Sequence, residues 1–362
     1  MHNLVRAYAH HPLAAGDDVA VFTSSWKDRP ATSLASELGA SIVDRRVPVR
    51  VLNYAWHRLE WPPIELLGVT GDIVHAAHPL LIPSTSAAQV VTVHDLFFLT
   101  DPESTRAEVQ RDYPDLAASH VQRADAVIAN SHDTASLVER RLGVARSHIH
   151  VCSPGPPPWY ALGRAPNVPT DGYVLFVGTL EVRKNIGVLL DAYTTLVERD
   201  DRTPALVLAG RATPDATAWL DRLSRPPLAG RVRHLGYIPD AEREATYAGA
   251  RLLVMPSQYE GFGIPVLEAM SAGVPVVAAN RGALPEVLGD AGTLVDPDDA
   301  GAIATAMHRS LTDEAFAMAC AQRGLQRARE FSWERAAVTL HGAYETALAN
   351  RRNRGSVAGR PT

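Results

Sequence analysis

The sequence predicts an α/β protein in which parallel β-strands alternate with helices in two domains. Short apolar runs such as Tyr173–Val177 and Arg251–Met255 have the pattern of buried parallel strands, and each is followed by a glycine-containing loop and a helical segment. Strands that alternate with helices imply right-handed crossovers and therefore a parallel sheet. The length of 362 residues fits about two domains.

Composition and charge narrow the class of protein. Hydrophobic residues make up 46% of the chain and charged residues 21%, which predicts a globular protein with a substantial core. The net charge of −5 gives no reason to expect nucleic acid as a partner. Cys152 and Cys320 lie in no C-x-x-C pattern, so no disulfide framework or zinc site is indicated. Because the chain shows neither a signal-peptide core nor an apolar stretch of bilayer length, we expect a cytoplasmic protein.

The first domain is predicted to consist of short strands joined by helices. Residues 1–12 have the pattern of a helix end, whereas an α/β domain of this type usually opens with a strand and a glycine-rich turn, so we expect that strand and turn to be missing. The predicted strands are Asp18–Thr23, Asp72–His75, Gln89–Val93, Asp125–Ala129 and His148–Val151. The predicted helices are Glu103–Arg123 and Asp133–Leu142, the second with Ser131 as its N-cap.

His94 and Asp95 directly follow the predicted strand Gln89–Val93. A polar pair at the carboxyl end of a parallel strand points toward the crevice in which such sheets bind ligands. A single histidine at a strand end is, however, often only a hydrogen-bonded structural residue. We expect Asp95 to orient or cap its neighbours rather than to react.

A basic and aromatic stretch occupies residues 41–61. Its arginines are interleaved with apolar and aromatic side chains that include Tyr54, Trp56 and Trp61. Such a stretch could meet an anionic membrane surface or a lipid-linked acceptor, which would place the protein peripherally at the inner face of a membrane. The simpler interpretation, which we prefer, is a strand and a helix with a solvated face.

A proline-rich stretch at residues 152–170 marks the predicted domain boundary, because so much proline excludes regular helix and makes a stiff connector. We predict a first domain over residues 1–160 and a second over 161–331. Residues 332–350 then form a final helix that crosses back to the first domain. The basic, glycine-containing tail 351–362 is expected to be disordered.

In the second domain, the strand Tyr173–Val177 runs into a loop that begins at Gly178 and carries Arg183 and Lys184 just before a helix. Cations at a helix N-terminus are mildly unfavourable unless an anion lies between them. Arginine can bind phosphate oxygens in a bidentate manner and lysine acts as a point charge, so both are candidates for a phosphate clamp, with Lys184 preferred. The alternative is a pair of surface charges.

The central stretch of the chain runs from Pro256 to Met270, between the strand Arg251–Met255 and a helix over Pro265–Ala272. Glu260 lies in the connecting loop and Glu268 lies one turn inside the helix. Strand–loop–helix edges of this kind bind ligands in open α/β sheets, and the free N–H groups of the helix N-terminus suit an anion. Two glycines in this loop, Gly261 and Gly263, allow a ligand to approach the backbone closely.

The run Tyr259-Glu260-Gly261-Phe262-Gly263-Ile264-Pro265-Val266-Leu267-Glu268-Ala269-Met270 resembles the retaining glycosyltransferases of family 4, also called group 1 glycosyltransferases. Val91-Thr92-Val93-His94-Asp95-Leu96 and the loop from Gly178 to Asn185 are similar to other motifs of that family. The resemblance is strong from Tyr173 to Pro297 and poor before residue 70. It implies two facing Rossmann-like domains of the GT-B type, with a cleft between them.

The resemblance also implies roles for individual residues. Glu260 would bind hydroxyls of the donor hexose, Glu268 the ribose of the nucleotide, and His94 the sugar near the reaction centre. Arg183 and Lys184 would hold the diphosphate together with the loop at Gly178. The donor-binding set is completed by the motif residues Gly261, Phe262, Gly263 and Ile264, and by Ile238 at the edge of the nucleotide base. The family resembled is usually described as using front-face attack with the leaving phosphate as the base, so we assign no side chain as a general base.

The activity that the resemblance implies is retaining transfer of a hexose from a nucleoside-diphosphate sugar to a hydroxyl acceptor, a sugar or a lipid-linked sugar, in glycan or glycolipid synthesis. No metal or other cofactor is expected, because cationic side chains would stabilise the diphosphate. The form Glu260-Gly261-Phe262-Gly263-Ile264-Pro265 is similar to that of mannosyltransferases that use GDP-mannose, although a UDP-sugar stays possible. The alternatives are a nucleotide-sugar epimerase of the same architecture and a truncated, non-catalytic sugar-nucleotide-binding partner.

Asp296-Pro297-Asp298-Asp299 contains a D-x-D pattern, which another class of glycosyltransferases uses to hold a metal. Here it directly precedes a helical run from Ala300 to Leu311. Asp is a favoured N-cap residue, so we predict that this segment caps the helix.

Overall fold

The computed structural model describes residues 1–24, 26–100 and 113–358. The chain divides into two compact units, of which the first comprises Met1–Gly155 with Ser332–Thr362 and the second Pro156–Phe331. The division falls at the start of the proline-rich stretch, five residues before the boundary that we placed at residue 160. The α/β architecture predicted from the alternating pattern is confirmed, and so are the two Rossmann-like units that the family resemblance implied.

Among the residues of the first unit that the structure describes there are six strands, all in parallel pairs. They are β1 (Ala20–Ser24), β2 (Ser41–Arg45), β3 (Ile73–Ala76), β4 (Ala88–Val93), β5 (Ala126–Ala129) and β6 (Ile149–Val151). β1 pairs with β2, and the other four form a sheet in the order β3-β4-β5-β6. Val90 pairs with Ala126 and Val91 with Val127, so that successive residues face opposite sides of the sheet. Both faces are apolar, as expected for a parallel sheet that is covered on both sides.

Among the described residues of the first unit, the helices that precede the connector lie on both faces of this sheet. They are α1 (His2–Ala9), α2 (Leu34–Leu38), α3 (Val49–Tyr54), α4 (Phe97–Thr100), α5 (Tyr113–Arg123) and α6 (His132–Leu142). The predicted helix Glu103–Arg123 is present from Tyr113 onward, and residues 103–112 lie outside the described residues. Ser131 caps α6 as predicted, since its side chain accepts a hydrogen bond from the Thr134 amide at 3.0 Å.

The second unit holds one six-stranded parallel sheet. Its strands are β7 (Tyr173–Val177), β8 (Leu206–Ala209), β9 (Val232–Gly236), β10 (Ala250–Met255), β11 (Val276–Ala279) and β12 (Thr293–Val295). The order β12-β11-β10-β7-β8-β9 means that the chain builds outward from β7 in one direction and then from β10 in the other. The loops that follow β7 and β10 therefore lie side by side at a topological switch point, which is where sheets of this kind bind ligands.

Seven helices of the described residues in the second unit connect these strands or follow the last of them. They are α7 (Ile186–Arg199), α8 (Thr217–Arg222), α9 (Asp240–Ala248), α10 (Ile264–Ala272), α11 (Leu284–Leu288), α12 (Ala300–Thr312) and α13 (Glu314–Ala328). α10 starts one residue before the predicted position and ends at Ala272, where Gly273 follows as the C-cap with φ 73°. Its buried face joins the apolar core between the sheet and the helices.

The last helix, α14 (Trp333–Ala358), belongs to the first unit and packs with α1 on the face of the sheet that carries Val90 and Ile128. It continues eight residues beyond the predicted end, so residues 351–358 are helical where we expected disorder, and residues 359–362 lie outside the described residues. Arg351 and Arg354 donate hydrogen bonds to main-chain carbonyls of the same unit, which holds the end of the helix in place. Among the helices of the described residues, none combines the length and the apolar composition that crossing a bilayer requires.

Candidate functional site

Glu260 lies in the loop between β10 and α10, and only 6% of its surface is exposed. The Lys184 ammonium lies 2.5 Å from its Oε1 atom, which also accepts a hydrogen bond of 2.7 Å from the Ser257 hydroxyl. Arg183 Nη1 lies 3.4 Å from the other oxygen, Oε2. The two cations that the sequence assigned to a phosphate clamp are thus part of the same cluster as the first carboxylate.

Electrostatics keep the Glu260 carboxylate ionised. Burial by itself raises the pKa of this group, because a charged carboxylate loses its hydration. The charges of Lys184 and Arg183, with hydrogen bonds from Lys184 and Ser257, outweigh burial and leave the pKa below its ordinary value. The cluster therefore holds a permanent negative charge between two positive ones.

Local backbone structure brings the two cations to Glu260. A single turn of 3-10 helix over Val182–Lys184 follows the loop at Gly178, and it ends at Asn185 in the left-handed conformation with φ 59°. Arg183 is held by Glu181, whose Oε1 lies 2.7 Å from Nε, and its Nη1 donates to the Tyr259 carbonyl at 3.2 Å. The loops after β7 and β10 are in this way tied to each other, as their adjacent strands allow.

Gly263 of the central motif is restricted both by its backbone conformation and by its neighbours. Gly263 has φ 102°, and a Cβ atom there would lie 2.7 Å from Leu284, so close packing as well as conformation requires glycine at this position. Phe262 is 3% exposed and packs edge-on against Phe331. Its side chain is part of the core, so a donor would meet the main chain at this position, and the donor-binding role of Phe262 stays a prediction.

Glu268 is held by two side chains of α9. Arg243 Nη2 lies 2.5 Å from Oε1, and the Tyr247 hydroxyl donates to Oε2 at 2.6 Å. Burial raises the pKa of Glu268 above its ordinary value, although the bonds from Arg243 and Tyr247 act in the opposite direction. Neither partner was predicted from the sequence. The sequence feature that could have identified them is the four-residue spacing of Arg243 and Tyr247, which places both side chains on one face of a helix.

A pocket of about 500 Å³ opens at the carboxyl ends of β7 and β8. Three of the predicted donor-binding residues line it, namely Gly178, Ile238 and Ile264. The guanidinium of Arg211 lies 4.9 Å from the ring centre of Tyr237, and both residues are part of the lining. The remaining polar lining includes Arg243 and Tyr247.

Both carboxylates adjoin this pocket through their partners. A Cβ atom at Gly178 would lie 3.5 Å from Cε of Lys184, so the lysine that holds Glu260 runs directly behind the pocket wall. Arg243 and Tyr247 both line the pocket and bind Glu268. The second unit therefore places both carboxylates behind the wall of one pocket, each with a cationic side chain beside it.

His94 belongs to the first unit and lies directly after β4. The residue is exposed, and its Nε2 atom lies 3.1 Å from the Ala77 carbonyl. Asp95 accepts a hydrogen bond from the Phe97 amide at 3.2 Å, which confirms the predicted capping role. The structure thus places His94 at the carboxyl edge of its own sheet, as the sequence indicated.

The D-x-D segment caps a helix. Asp299 accepts a hydrogen bond of 2.8 Å from the Ala302 amide at the start of α12, as predicted. Asp298 instead accepts from the Gln258 amide group at 2.7 Å, and Asp296 lies 3.2 Å from Arg281. Over the part of the chain that the structure describes, no three His, Cys, Asp or Glu side chains are grouped so as to hold a metal ion.

Comparison with protein families gives two adjacent matches. The model described as Glycosyltransferase Family 4 matches residues 1–157, and that described as Glycosyl transferases group 1 matches residues 171–313. The first match begins at residue 1, so the likeness extends over the region before residue 70, in which the motifs indicated little.

Several curated proteins are similar to this chain. The O-antigen chain mannosyltransferase B of Escherichia coli is 33% identical over 287 residues, which cover 76% of this chain and 74% of that protein. The serotype-specific mannosyltransferase WbdA of the same organism is 30% identical over 71% of this chain, but the chain spans only 33% of its length. The D-inositol 3-phosphate glycosyltransferase of Corynebacterium aurimucosum is 31% identical over 76% of this chain and 66% of that protein.

Solved structures share the fold over nearly the whole chain. The sucrose-phosphate synthase of Thermosynechococcus elongatus superposes with a TM-score of 0.73 at 23% identity, covering 96% of this chain and 92% of that one. WaaG, a glycosyltransferase of lipopolysaccharide biosynthesis, gives a TM-score of 0.70 at 18% identity, with 94% of each chain covered. Anabaena HepE in complex with UDP and glucose gives 0.64 at 17% identity, over 99% and 96%.

Proposed function

Because this chain belongs to the group 1 glycosyltransferases of family 4, we propose that it transfers mannose from GDP-mannose to a hydroxyl acceptor with retention of configuration. The mannose assignment is supported by the similar E. coli enzyme that is named an O-antigen chain mannosyltransferase. The acceptor that fits this comparison is a sugar residue of a growing polysaccharide. The observation that carries the proposal is the buried cluster of Glu260, Lys184 and Arg183 beside a pocket of nucleotide size.

The charge that moves during transfer explains why these groups are needed. Cleavage of the sugar–phosphate bond leaves a diphosphate with growing negative charge and a sugar with growing positive charge. Lys184 and Arg183 lie next to the loop at Gly178, and we assign them to the diphosphate. Fixed cations in a water-poor site stabilise such charge strongly because they need no reorganisation during the reaction.

Glu260 has a second role in this scheme. In the structure it neutralises Lys184, whose side chain is 8% exposed. When the diphosphate binds, the Lys184 ammonium would pair with it as well as with Glu260. The Glu260 oxygens would then be able to accept hydrogen bonds from sugar hydroxyls. Glu268, fixed by Arg243 and Tyr247, would accept hydroxyls of the ribose. His94 remains the sugar contact that the family resemblance implies.

We also propose that the enzyme works at the anionic inner face of a membrane. The supporting surface comprises the exposed apolar residues Val49, Val51, Tyr54, Leu59, Trp61 and Leu66, which are between 48% and 67% exposed. The exposed arginines Arg45, Arg46, Arg50 and Arg58 lie in the same segment. Apolar side chains that can enter the interface, flanked by cations that attract anionic lipids, are typical of peripheral membrane contact.

The donor proposal is tested by binding and then by product analysis. Thermal unfolding is measured with GDP-mannose, GDP, UDP-glucose and UDP. We expect stabilisation by the two guanosine ligands, by about 2.7 kcal/mol at a concentration of 100 Kd. NMR of the transfer product should then show an α-linked mannose. Stabilisation by uridine ligands alone would refute the assignment of the base. Conversion of the donor sugar without any acceptor would favour the epimerase instead.

A further inference from the structure

A second cavity, of about 380 Å³, lies in the first unit at the amino ends of its strands. Gln89, the second residue of β4, and Asp125, the residue before β5, both line it. His94 follows the opposite end of β4, which is about 16 Å from Gln89 at the rise of an extended strand. The cavity is therefore separate from the sheet edge that carries His94, and none of the proposed donor residues lines it.

Two buried acceptor atoms of the cavity wall make no hydrogen bond. They are Oε1 of Gln89 and Oδ1 of Asp125. Asp125 is 1% exposed; its Oδ2 atom accepts from the Gln89 amide at 2.8 Å, and Arg354 Nη1 lies 3.4 Å from Oδ1. A buried acceptor that stays unbonded costs roughly 1–3 kcal/mol. Both atoms have almost no accessible surface in this structure. A ligand that donates hydrogen bonds would satisfy them once the Gln89 amide and the Asp125 carboxylate turn toward the cavity.

The arginines around the cavity are already held in place. Arg123 forms two parallel bonds, of 2.6 and 2.8 Å, with the Glu60 carboxylate. Arg354 donates to the carbonyls of Arg123 and Ala124. Two carboxylates thus balance two of the three guanidinium groups that line the cavity, and Arg351 supplies the surplus charge.

The remaining wall is apolar and includes Trp56, Leu81 and Ile82. A phosphate needs several free cations, which this cavity does not offer because its charges are nearly balanced. The apolar wall and the few fixed polar groups suit a neutral, polyhydroxylated ring better. The volume is at the lower end of small-ligand pockets, roughly 300–1,000 Å³. The end of α14, which supplies Arg351 and Arg354, closes one side.

We propose that this cavity is a second carbohydrate site, which binds a sugar residue of the glycan outside the place of transfer. Hydroxyls of the ring donate to Gln89 Oε1 and Asp125 Oδ1 after these side chains have turned toward the cavity, and Arg351 donates to a ring or hydroxyl oxygen. A polymer that is held here stays with the enzyme between transfers. That the sugar is mannose rests on the proposed function, whereas the site itself does not.

The test is calorimetric titration of the full chain with an α-linked mannotetraose, and with inorganic phosphate in parallel. The variants Gln89→Leu and Arg351→Gln should each weaken tetraose binding at least fivefold. Arg352→Gln is the matched control, because this exposed neighbour on the same helix does not line the cavity. GDP binding should be unchanged in all three variants.

The outcomes separate this inference from the donor proposal. Tetraose binding that depends on Gln89 and Arg351 supports the second site even if no donor is turned over. Absence of tetraose binding at millimolar concentration, or binding that neither variant weakens, would overturn the proposal. Phosphate binding that Arg351→Gln abolishes, without sugar binding, would identify an anion site instead and would equally overturn it. If Gln89→Leu fails to fold, Arg351→Gln decides alone.

Discussion

The Lys184 ammonium and the Glu260 carboxylate form a buried ion pair, with 2.5 Å between Nζ and Oε1 and side chains that are each 8% exposed. The two residues are 76 positions apart in the sequence and meet because β7 and β10 are neighbours. The pair links stability to function. In the fold, each charge balances the other, and in the proposed reaction both charges also bind the substrate.

Stability and transfer can be separated at this ion pair. Glu260→Gln should lower the free energy of unfolding by roughly 3–5 kcal/mol, because it leaves Lys184 buried without its counter-charge. The double variant Glu260→Gln with Lys184→Met should recover most of that loss, measured by urea unfolding. Neither variant should transfer sugar at more than about 1% of the normal rate. A double variant that is stable and active would contradict the assigned roles.

Tyr247 is expected to act through Glu268. Tyr247→Phe removes the hydroxyl that donates to the carboxylate at 2.6 Å, a bond to a charged group worth roughly 1.5–3 kcal/mol. We expect the Kd for GDP to rise about tenfold or more by calorimetry. Tyr173→Phe is the matched control, because its hydroxyl donates to the Thr246 carbonyl at 2.6 Å and lines no part of the pocket. Equal losses in both variants would point to general destabilisation.

Donor binding should depend on pH through Glu268. Burial raises the pKa of this carboxyl above 4.5, so it takes up a proton at a higher pH than an exposed glutamate does. As pH falls toward that raised pKa, the carboxylate that accepts ribose hydroxyls is lost and the affinity for GDP decreases. Glu268→Gln should bind GDP weakly but without this dependence, which separates Glu268 from titration of the nucleotide. A variant that kept the full pH dependence would exclude Glu268 as its source.

Gly282 supports the main chain of Glu260. It has φ 56°, and a Cβ atom there would lie 2.7 Å from the Glu260 carbonyl oxygen. Gly282→Ala should therefore displace the Glu260 loop and reduce kcat at least tenfold. Gly230→Ala is the control, because Gly230 has φ 75° but no atom within 4 Å of the added Cβ. An alanine in the left-handed conformation lowers the stability of both variants by roughly 1–2 kcal/mol. Only Gly282→Ala should also lose activity.

Membrane contact can be tested with lipid vesicles. Leu59→Ala and Trp61→Ala should each reduce sedimentation with vesicles that contain anionic phosphatidylglycerol, and binding should weaken as salt is raised. Leu162→Ala is the control, since Leu162 is 79% exposed but belongs to the second unit. Equal binding to purely zwitterionic vesicles, or an equal loss in the control, would argue against an interface at residues 49–66.

The order of the strands and helices was predictable because its signals are local. Apolar runs such as Tyr173–Val177 were recovered with the same ends, and caps such as Ser131 and Asp299 act within three residues of their own position. Where the local signal was weak, the prediction failed. The polar, glycine-containing tail was expected to be disordered, yet its described residues 351–358 continue α14, because Arg351 and Arg354 bind carbonyls that are more than 200 positions away in the chain.

The sequence by itself determined which residues could do chemistry here, since two glutamates, a glycine loop and a pair of cations are recognisable wherever they lie in the fold. Only the tertiary structure decided which of them touch. It paired Lys184 with Glu260, gave Glu268 the partners Arg243 and Tyr247, and placed Phe262 in the core. The physical reason is that such contacts depend on strand order and on burial, which join distant segments and leave no mark in the spacing of neighbouring residues.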